Sequence, residues 1–154
     1  MSNNLTFRKA KIADLPAIIK MMADDVLGKT REDFRLPLPD FYLQAFEEIQ
    51  EDKNSLLIVV DLAEQKNIAT MHLYFMPALG RKGKKRMQIE AVRVNKDLRG
   101  QGIGEEMIKW AIGKAKENNC GLIQLTTDKE RIDAHRFYER LGFKPSHLGM
   151  KLEL

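Results

Sequence analysis

The stretch RGQGIGEEMIKWAIGKA, Arg99 to Ala115, places glycines at every other position and then continues as an amphipathic helix pattern. A glycine-rich turn at a helix N-terminus exposes backbone N–H groups at the positive end of the helix dipole, and both features attract phosphate. A tight turn with a flexible helix start is the alternative.

Two common phosphate loops do not fit the sequence of this turn. The dinucleotide fingerprint needs glycine where Glu105 stands, and the P-loop needs Gly-Lys followed by Ser or Thr. The turn instead matches a third pattern, R-x-x-G-x-G, which Arg99, Gly102 and Gly104 supply.

A carboxylate interrupts the apolar segment MQIEAVRV, Met87 to Val94, just before that turn. Its apolar residues stand at odd-numbered positions up to Ala91 and at even-numbered positions from Val92 onward. This change indicates either a strand buried on both faces or a bulge near Glu90 to Val92. A carboxylate among apolar neighbours is costly unless it is partnered or used. Glu90 is therefore either paired with an arginine or exposed at an edge, or it is a general base that takes a proton from a substrate.

Strand and helix patterns alternate in the N-terminal half. Leu5 to Ala10 alternates like a short strand, and a helix pattern with Asp14 placed as its cap follows. Leu27 to Pro39 is predicted to be irregular. The remaining segments are a helix from Asp40 to Glu51 and a hairpin of Ser55 to Ala63 with Asn67 to Met76.

The C-terminal half predicts a strand–helix–strand unit. The basic loop Gly80 to Arg86 leads into the Met87 strand, and the strand Gly121 to Thr127 follows the glycine turn and its helix. A short helix with an apolar face comes next, ending at Gly142 as a left-handed cap, and the alternation of HLGMKLEL suits a final strand. The predicted face consists of Ala134, Phe137, Tyr138 and Leu141. The fold class is α/β with a mixed sheet flanked by helices.

Composition predicts one domain spanning residues 1–154, because 44% apolar content fills a single core. The net charge of +4 favours an anionic partner only weakly, and nucleic acid less still. A lone cysteine, Cys120, forms no internal disulfide and no cysteine-ligated zinc site, and small-residue packing is its expected role. We expect no metal, no membrane association and a cytoplasmic location.

Several other polar residues are expected to be structural. His72, His135 and His147 show no pairing with a serine or carboxylate, so they are predicted to be structural or exposed. The basic loop, Arg81 to Arg86, is a solvated hairpin tip or a contact for an acidic acceptor or for nucleic acid. The stripe that packs the long helix on the sheet is Ile103, Met107, Ile108, Ala111, Ile112 and Ala115.

Two motifs in the C-terminal 70 residues resemble the GNAT superfamily of N-acetyltransferases. EAVRVNKDLRGQGIG is similar to the family's central strand and pyrophosphate-binding turn, and AHRFYERLGF is similar to its late helix. The resemblance implies a mixed sheet whose central strand splays away from its neighbour. It also implies acetyl-CoA as co-substrate, with cofactor contacts at Val92, Val94, Arg99, Gly100, Gln101, Gly102, Ile103 and Gly104. Arg131 departs from the family pattern, which often has asparagine there, and its contact with the cofactor is left open.

The same resemblance implies direct transfer of an acetyl group to an amine, with Glu90 as base and Tyr138 as proton donor to the departing thiolate. From the residues alone, Tyr138 is predicted to be a core residue with a satisfied hydroxyl, and only the resemblance assigns it a catalytic role. The expected partner is a small-molecule amine, whose pocket would be shaped by Leu27 to Tyr42 and Pro77 to Arg86. A homodimer is a further expectation. The rival hypotheses are a protein lysine or N-terminal acetyltransferase and a non-catalytic module that senses acyl-CoA or binds nucleic acid.

Overall fold

The computed structural model describes residues 4–154 as two compact units, 4–124 and 125–154. The first unit is built on a sheet in the strand order β1-β2-β3-β4-β5. The strands are β1 Leu5–Lys9, β2 Ser55–Leu62, β3 Gln65–Met76, β4 Lys85–Val94 and β5 Cys120–Leu125. The helices are α1 Leu15–Ala23, α2 Gly28–Arg31, α3 Asp40–Glu51, α4 Gly80–Gly83, α5 Ile103–Glu117 and α6 Ile132–Arg140, with short 3-10 turns at Ile12–Asp14 and Lys96–Leu98.

Strands β1 to β4 form an antiparallel meander, and β5 lies beside β4 after the α5 crossover. The predicted α/β class and mixed sheet are confirmed, and so is the hairpin of β2 with β3. The single-domain assignment stays a prediction. Among residues 4–154, the structure has no helix with the length and apolar content needed to span a bilayer.

Helix α5 packs on the sheet through the predicted apolar stripe. Five of its six members are buried: Ile103, Met107, Ile108, Ala111 and Ala115. Ile112 is only half-buried. On the same helix Trp110 stacks on Phe7 of β1, with ring centroids 4.9 Å apart. The stripe therefore fixes the N-terminus of α5, where the glycine turn lies, relative to the sheet.

Helices α1 and α3 share a second core cluster with β2. Leu15 and Ile18 from α1 and Phe46 from α3 pack with Leu57 and Val59 of β2. Leu57 pairs with His72 of β3 in the strand register, and His72 pairs with Glu90 of β4. Directly paired residues in an antiparallel sheet point to the same face. Glu90 therefore belongs to the sheet face that α1 and α3 cover.

An ion cluster ties β1 to the start of α1. The Arg8 guanidinium donates to Asp14 at 2.7 and 3.0 Å and to Asp61 at 2.9 Å. These bonds to Arg8 hold the pKa of both carboxyl groups below their usual range against the opposing effect of burial. Asp14 does occupy the predicted N-cap position, but its carboxylate bonds Arg8 and the Lys11 N–H instead of capping α1.

Four other predictions need correction. The segment Leu27 to Pro39 contains a helical turn, α2, and the basic loop folds into the turn α4, so β4 begins at Lys85. The face of α6 predicted to be buried is only half-buried.

Residues 144–154 form no strand, and Leu148, Met150 and Leu152 are 85, 94 and 86% exposed. Alternation specifies a strand only where a neighbouring strand supplies hydrogen bonds, and the sequence pattern does not contain that partner.

Candidate functional site

A bulge interrupts β4 next to Glu90. Thr70 pairs with Arg93 and His72 pairs with Glu90, so β4 has one more residue than β3 over this interval. Ala91 takes up the extra length with a φ of +52°. Left-handed backbone at a bulge bends the strand and redirects the residues that follow. The bulge is thus confirmed over the alternative of a regular strand buried on both faces.

The Glu90 side chain is exposed, and its described partner is a glutamine. Gln88 Nε2 donates to Glu90 Oε1 at 2.9 Å, and Gln124 Nε2 of β5 donates to Gln88 Oε1 at 2.8 Å. Glu90 is therefore exposed on an inner strand and not at a sheet edge, and its role as a general base stays a prediction. The Gln124 amide thus donates to the Gln88 carbonyl oxygen and the Gln88 amide donates to the carboxylate, and this chain orients the carboxylate.

His72 is the residue that sequence reasoning undervalued. Its side chain is buried, with 6% of the residue exposed, and its Nε2 lies 2.5 Å from Ser55 Oγ. Burial lowers the pKa of His72 to about 4 from 6.5, while the nearby Asp52 charge opposes this change. The ring also contacts Tyr74, with centroids 4.0 Å apart. The sequence pattern gave no signal for its location, because its place opposite Glu90 depends on the register of β3 with β4.

Tyr74 adds a second aromatic group on this face of the sheet. It pairs with Gln88, the residue whose amide holds Glu90. Burial raises the pKa of Tyr74, and the negative charges of Glu90 and Asp52 raise it further. The hydroxyl is therefore protonated at neutral pH, and the face combines a carboxylate with two neutral aromatic side chains.

Two glycines of the turn adopt left-handed backbone. Gly100 and Gly102 have φ values of +76° and +81°, and Gly102 is the N-cap of α5. A Cβ added at either glycine meets no atom within 4 Å, so the space beside the turn is open. The first N–H groups of a helix have no intrahelical acceptors and carry the positive end of its dipole. The residues present therefore fit a pyrophosphate group, which would rest on the backbone where side chains are missing.

Two carbonyl groups that the resemblance assigns to cofactor pairing already accept hydrogen bonds. The Val92 oxygen accepts from Arg93 Nη1 at 2.8 Å, and the Val94 oxygen accepts from Arg99 Nε at 3.1 Å. Gln101 Nε2 donates to the Asp97 oxygen at 3.4 Å. A carbonyl oxygen has two lone pairs. A pantetheine arm that pairs with these strand residues would therefore either bind the second lone pair of each oxygen or displace the arginine side chains.

Glutamates in the first turn of α5 are neutralised locally. Lys109 lies 2.9 Å from Glu105 and 3.0 Å from Glu106. These contacts raise the pKa of Lys109, chiefly through its hydrogen bond to Glu105. The pairing reduces the repulsion that two carboxylates would exert on an anion at the helix N-terminus.

Tyr138 belongs to the unit of residues 125–154 and is described within it. Its half-buried ring contacts Phe137 and Phe143, with centroids 5.0 and 5.7 Å away. The Phe143 N–H donates to the Tyr138 carbonyl at 3.1 Å across Gly142, whose φ is +93°. This confirms the left-handed helix end predicted at Gly142. The catalytic role of Tyr138 stays a prediction, as do the roles of the other predicted site residues.

The described side chains also limit other chemistries. Within residues 4–154, no three His, Cys, Asp or Glu side chains are grouped so as to hold a metal ion. Cys120 is half-buried, and burial raises the pKa of its thiol, which disfavours the nucleophilic thiolate.

The chain combines a mixed sheet, a bulged inner strand and a glycine turn at a helix N-terminus, an arrangement that α/β proteins use to bind phosphorylated ligands. The family model described as "Acetyltransferase (GNAT) family" matches residues 23–143. The chain therefore belongs to the GNAT acetyltransferase family.

Sequence relatives match only part of the chain. An aminoalkylphosphonate N-acetyltransferase from Salmonella typhimurium is 42% identical over 60 residues, which is 39% of this chain and 39% of that protein. A mycothiol acetyltransferase from Corynebacterium jeikeium is 31% identical over 65 residues, 42% of this chain and 19% of that protein. The chain thus aligns with well under half of the length of either relative.

Solved structures match along nearly the whole chain. A crystal structure described as a transcriptional regulator from Bacillus halodurans has a TM-score of 0.93 and 49% identity, covering 97% of this chain and 99% of that one. A putative acetyltransferase from Agrobacterium tumefaciens has a TM-score of 0.83 and 26% identity, with the same coverage. A predicted acetyltransferase from Clostridium acetobutylicum, solved with acetyl-CoA, shares the fold at 20% identity and a TM-score of 0.72, covering 97% of this chain and 96% of that one.

Proposed function

We propose that this protein transfers an acetyl group from acetyl-CoA directly to a primary amine on a small molecule. The observation that carries the proposal is the bulged strand β4, which leads from an exposed carboxylate at Glu90 to a left-handed glycine turn with open space beside it. Membership of the GNAT family and the N-acetyltransferase relatives support the reaction class. The fold neighbour solved with acetyl-CoA supports the choice of donor.

In this proposal the backbone binds the donor. The N–H groups of the turn from Arg99 to Gly104 hold the pyrophosphate, and the Val92 N–H polarises the thioester carbonyl. Glycine at Gly102 serves both functions of the turn, because it adopts the positive φ and leaves room for phosphate oxygens. The arginines at the Val92 and Val94 oxygens would adjust when the arm binds.

Proton transfer is assigned to two side chains. An aliphatic ammonium has a pKa of roughly 10, so most of the acceptor is protonated near neutral pH. Glu90 takes this proton directly or through a water molecule, the amine nitrogen forms a bond to the acetyl carbon, and the carbon–sulfur bond breaks. Tyr138 gives its proton to the departing thiolate, and the second proton that the nitrogen loses returns through solvent to the Tyr138 phenolate. No covalent enzyme intermediate is required, and the thiol of Cys120 is poorly ionised because of its burial.

The first experiment tests the donor site. Calorimetric titration with acetyl-CoA should show Kd rising at least about tenfold in Gly102→Ala, because the new methyl group enters the open space beside the turn. Gly83→Ala is the matched control. Gly83 also has a positive φ, +73°, and open space for a Cβ, but it belongs to α4 and not to the turn. Equal affinities in the wild type and both variants would remove the turn from the donor site.

A second candidate function is a non-catalytic regulatory module. This candidate is favoured by the Bacillus halodurans structure that is described as a transcriptional regulator and is 49% identical to this chain. Thiol release from acetyl-CoA in the presence of primary amines separates the two. An acetyltransferase releases coenzyme A thiol only when an accepted amine is present, whereas a sensing module binds acetyl-CoA and releases none. Binding of DNA or RNA that weakens with salt would support the regulatory module.

The cytoplasmic location and the homodimer stay predictions. The wild-type chain's elution volume on a calibrated size-exclusion column would decide between a monomer and a dimer.

A further inference from the structure

A cavity of about 160 Å³ lies between the sheet and helices α1 and α3. Most of its lining is apolar and includes Leu15 and Ile18 of α1, Phe46 of α3 and Leu57 of β2. A cavity of about 150 Å³ with a comparable Leu, Ile and Phe lining is large enough to bind benzene. The space therefore suits one phenyl ring or a short branched hydrocarbon chain.

The polar side chains in the lining already have partners. Thr70 Oγ1 donates to the Ile58 carbonyl at 2.8 Å, and the Tyr42 hydroxyl lies 2.8 Å from Glu32 and accepts from the Asp33 N–H at 2.9 Å.

His72, the third polar group in the lining, has Ser55 as its partner, and burial lowers its pKa to about 4, so the ring is neutral near pH 7. Among the described residues that line the cavity, none carries a charge at that pH. An anionic or polycationic group would lose its hydration there without gaining a counter-charge.

The cavity reaches the bulge beside the proposed base. Ala91, which follows Glu90 and carries the left-handed φ, forms part of the lining, and so does His72, the cross-strand neighbour of Glu90. The carboxylate itself is exposed on the same sheet face. An amine at Glu90 would therefore have a neutral, apolar space within reach of its carbon chain and a negative charge beside its nitrogen.

We propose that this cavity receives the uncharged hydrocarbon part of the acceptor, a primary amine with a phenyl group or a short branched chain, while the amino group lies at Glu90. This inference rests on the proposed acetyl transfer. It differs from the acceptor in the name of the Salmonella relative, because a phosphonate finds no cation in this lining.

Substrate preference tests the inference. Rates of acetyl-CoA-dependent thiol release should give a higher kcat/KM for benzylamine and 3-methylbutylamine than for spermidine and 2-aminoethylphosphonate, by at least about tenfold. Along a series of linear alkylamines, kcat/KM should rise by about fourfold per methylene until the cavity is full, since each buried methylene contributes about 0.8 kcal/mol. Calorimetric titration with benzylamine measures binding independently of acetyl transfer.

A substitution at the cavity lining gives the second test. Ala45 is an exposed residue of α3 that contributes to the lining, so Ala45→Leu should narrow the space. The preference for benzylamine over methylamine should fall at least about fivefold. Gln44→Leu adds the same side chain at the neighbouring exposed position, which does not line the cavity, and should keep the wild-type preference.

The outcomes separate this inference from the proposed function. Acetylation of spermidine or 2-aminoethylphosphonate in preference to benzylamine would overturn the inference and leave acetyl transfer standing. An unchanged preference in Ala45→Leu would also overturn it. Saturable benzylamine binding that Ala45→Leu weakens, without thiol release from any amine, would support the cavity assignment and contradict the proposed function.

Discussion

Replacing His72 tests whether its burial makes the protein sensitive to mild acid. The unfolded chain protonates this histidine near its ordinary pKa of 6.5, whereas the folded chain does so only near about 4. Between these values the unfolded state binds more protons than the folded state, so stability falls as the pH falls. The contribution is fully present above 6.5 and is lost progressively as the pH decreases towards 4.

The two pKa values set the size of the effect. Lowering the pH from about 7 to about 5 should cost at most about 2 kcal/mol of unfolding free energy through this group. Attraction between the protonated ring and the neighbouring carboxylates of Glu90 and Asp52 would reduce that cost. Carboxyl groups with ordinary pKa values add little over this interval, because most remain ionised at about pH 5.

Urea unfolding of the wild type, His72→Gln and His147→Gln at both pH values measures the effect. The wild type and His147→Gln, whose histidine is exposed, should lose stability between the two pH values, and His72→Gln should lose much less. Equal losses in all three proteins would refute the reasoning. If His72→Gln fails to fold, NMR titration of the wild-type His72 ring replaces it, and a midpoint near 6.5 would refute the account.

The remaining predictions concern the ion cluster, the proton-transfer groups and the basic loop. Arg8→Leu leaves the buried Asp14 without its cation and leaves Asp61 with Lys66 alone, 3.5 Å away, and should lower the unfolding free energy by about 3–5 kcal/mol in urea titrations; a loss below about 1 kcal/mol would contradict this. Glu90→Gln should lower kcat/KM most near neutral pH and recover partly as the amine deprotonates, whereas a uniform loss in the pH–rate profile would indicate a structural role. Tyr138→Phe should lower kcat by about 10²-fold with little change in acetyl-CoA affinity, and wild-type rates would show that Tyr138 has only a packing role. Joint replacement of Lys84 and Lys85 by Ser should leave kinetics and nucleic-acid retention unchanged, and a several-fold rise in acceptor KM would place the loop at the substrate.

Local patterns predicted most of the fold because their physical causes are local. The apolar spacing of Ile103 to Ala115 specifies a helix face, and the glycines at Gly100 and Gly102 specify left-handed backbone. The parity change around Glu90 indicated a bulge, and the structure has it at Ala91. Each of these signals lies within a few residues of the feature that it predicts.

The features that sequence reasoning missed depend on distant partners. Asp14 bonds Arg8 across a turn instead of capping its helix, and Gln88 links Glu90 to Gln124 on another strand. His72 became informative only when the strand register placed it opposite Glu90. Hydrogen bonds between strands are set by register, which a single strand's pattern does not specify.

Identification of the reaction product tests the central claim most directly. The protein is incubated with acetyl-CoA and benzylamine, coenzyme A thiol is quantified, and the amine is analysed by mass spectrometry. The account predicts N-acetylbenzylamine in equal amounts to the thiol released, and much less of both with Gly102→Ala at the same acetyl-CoA concentration. Saturable acetyl-CoA binding without an acetylated product from benzylamine or any other primary amine would contradict the account.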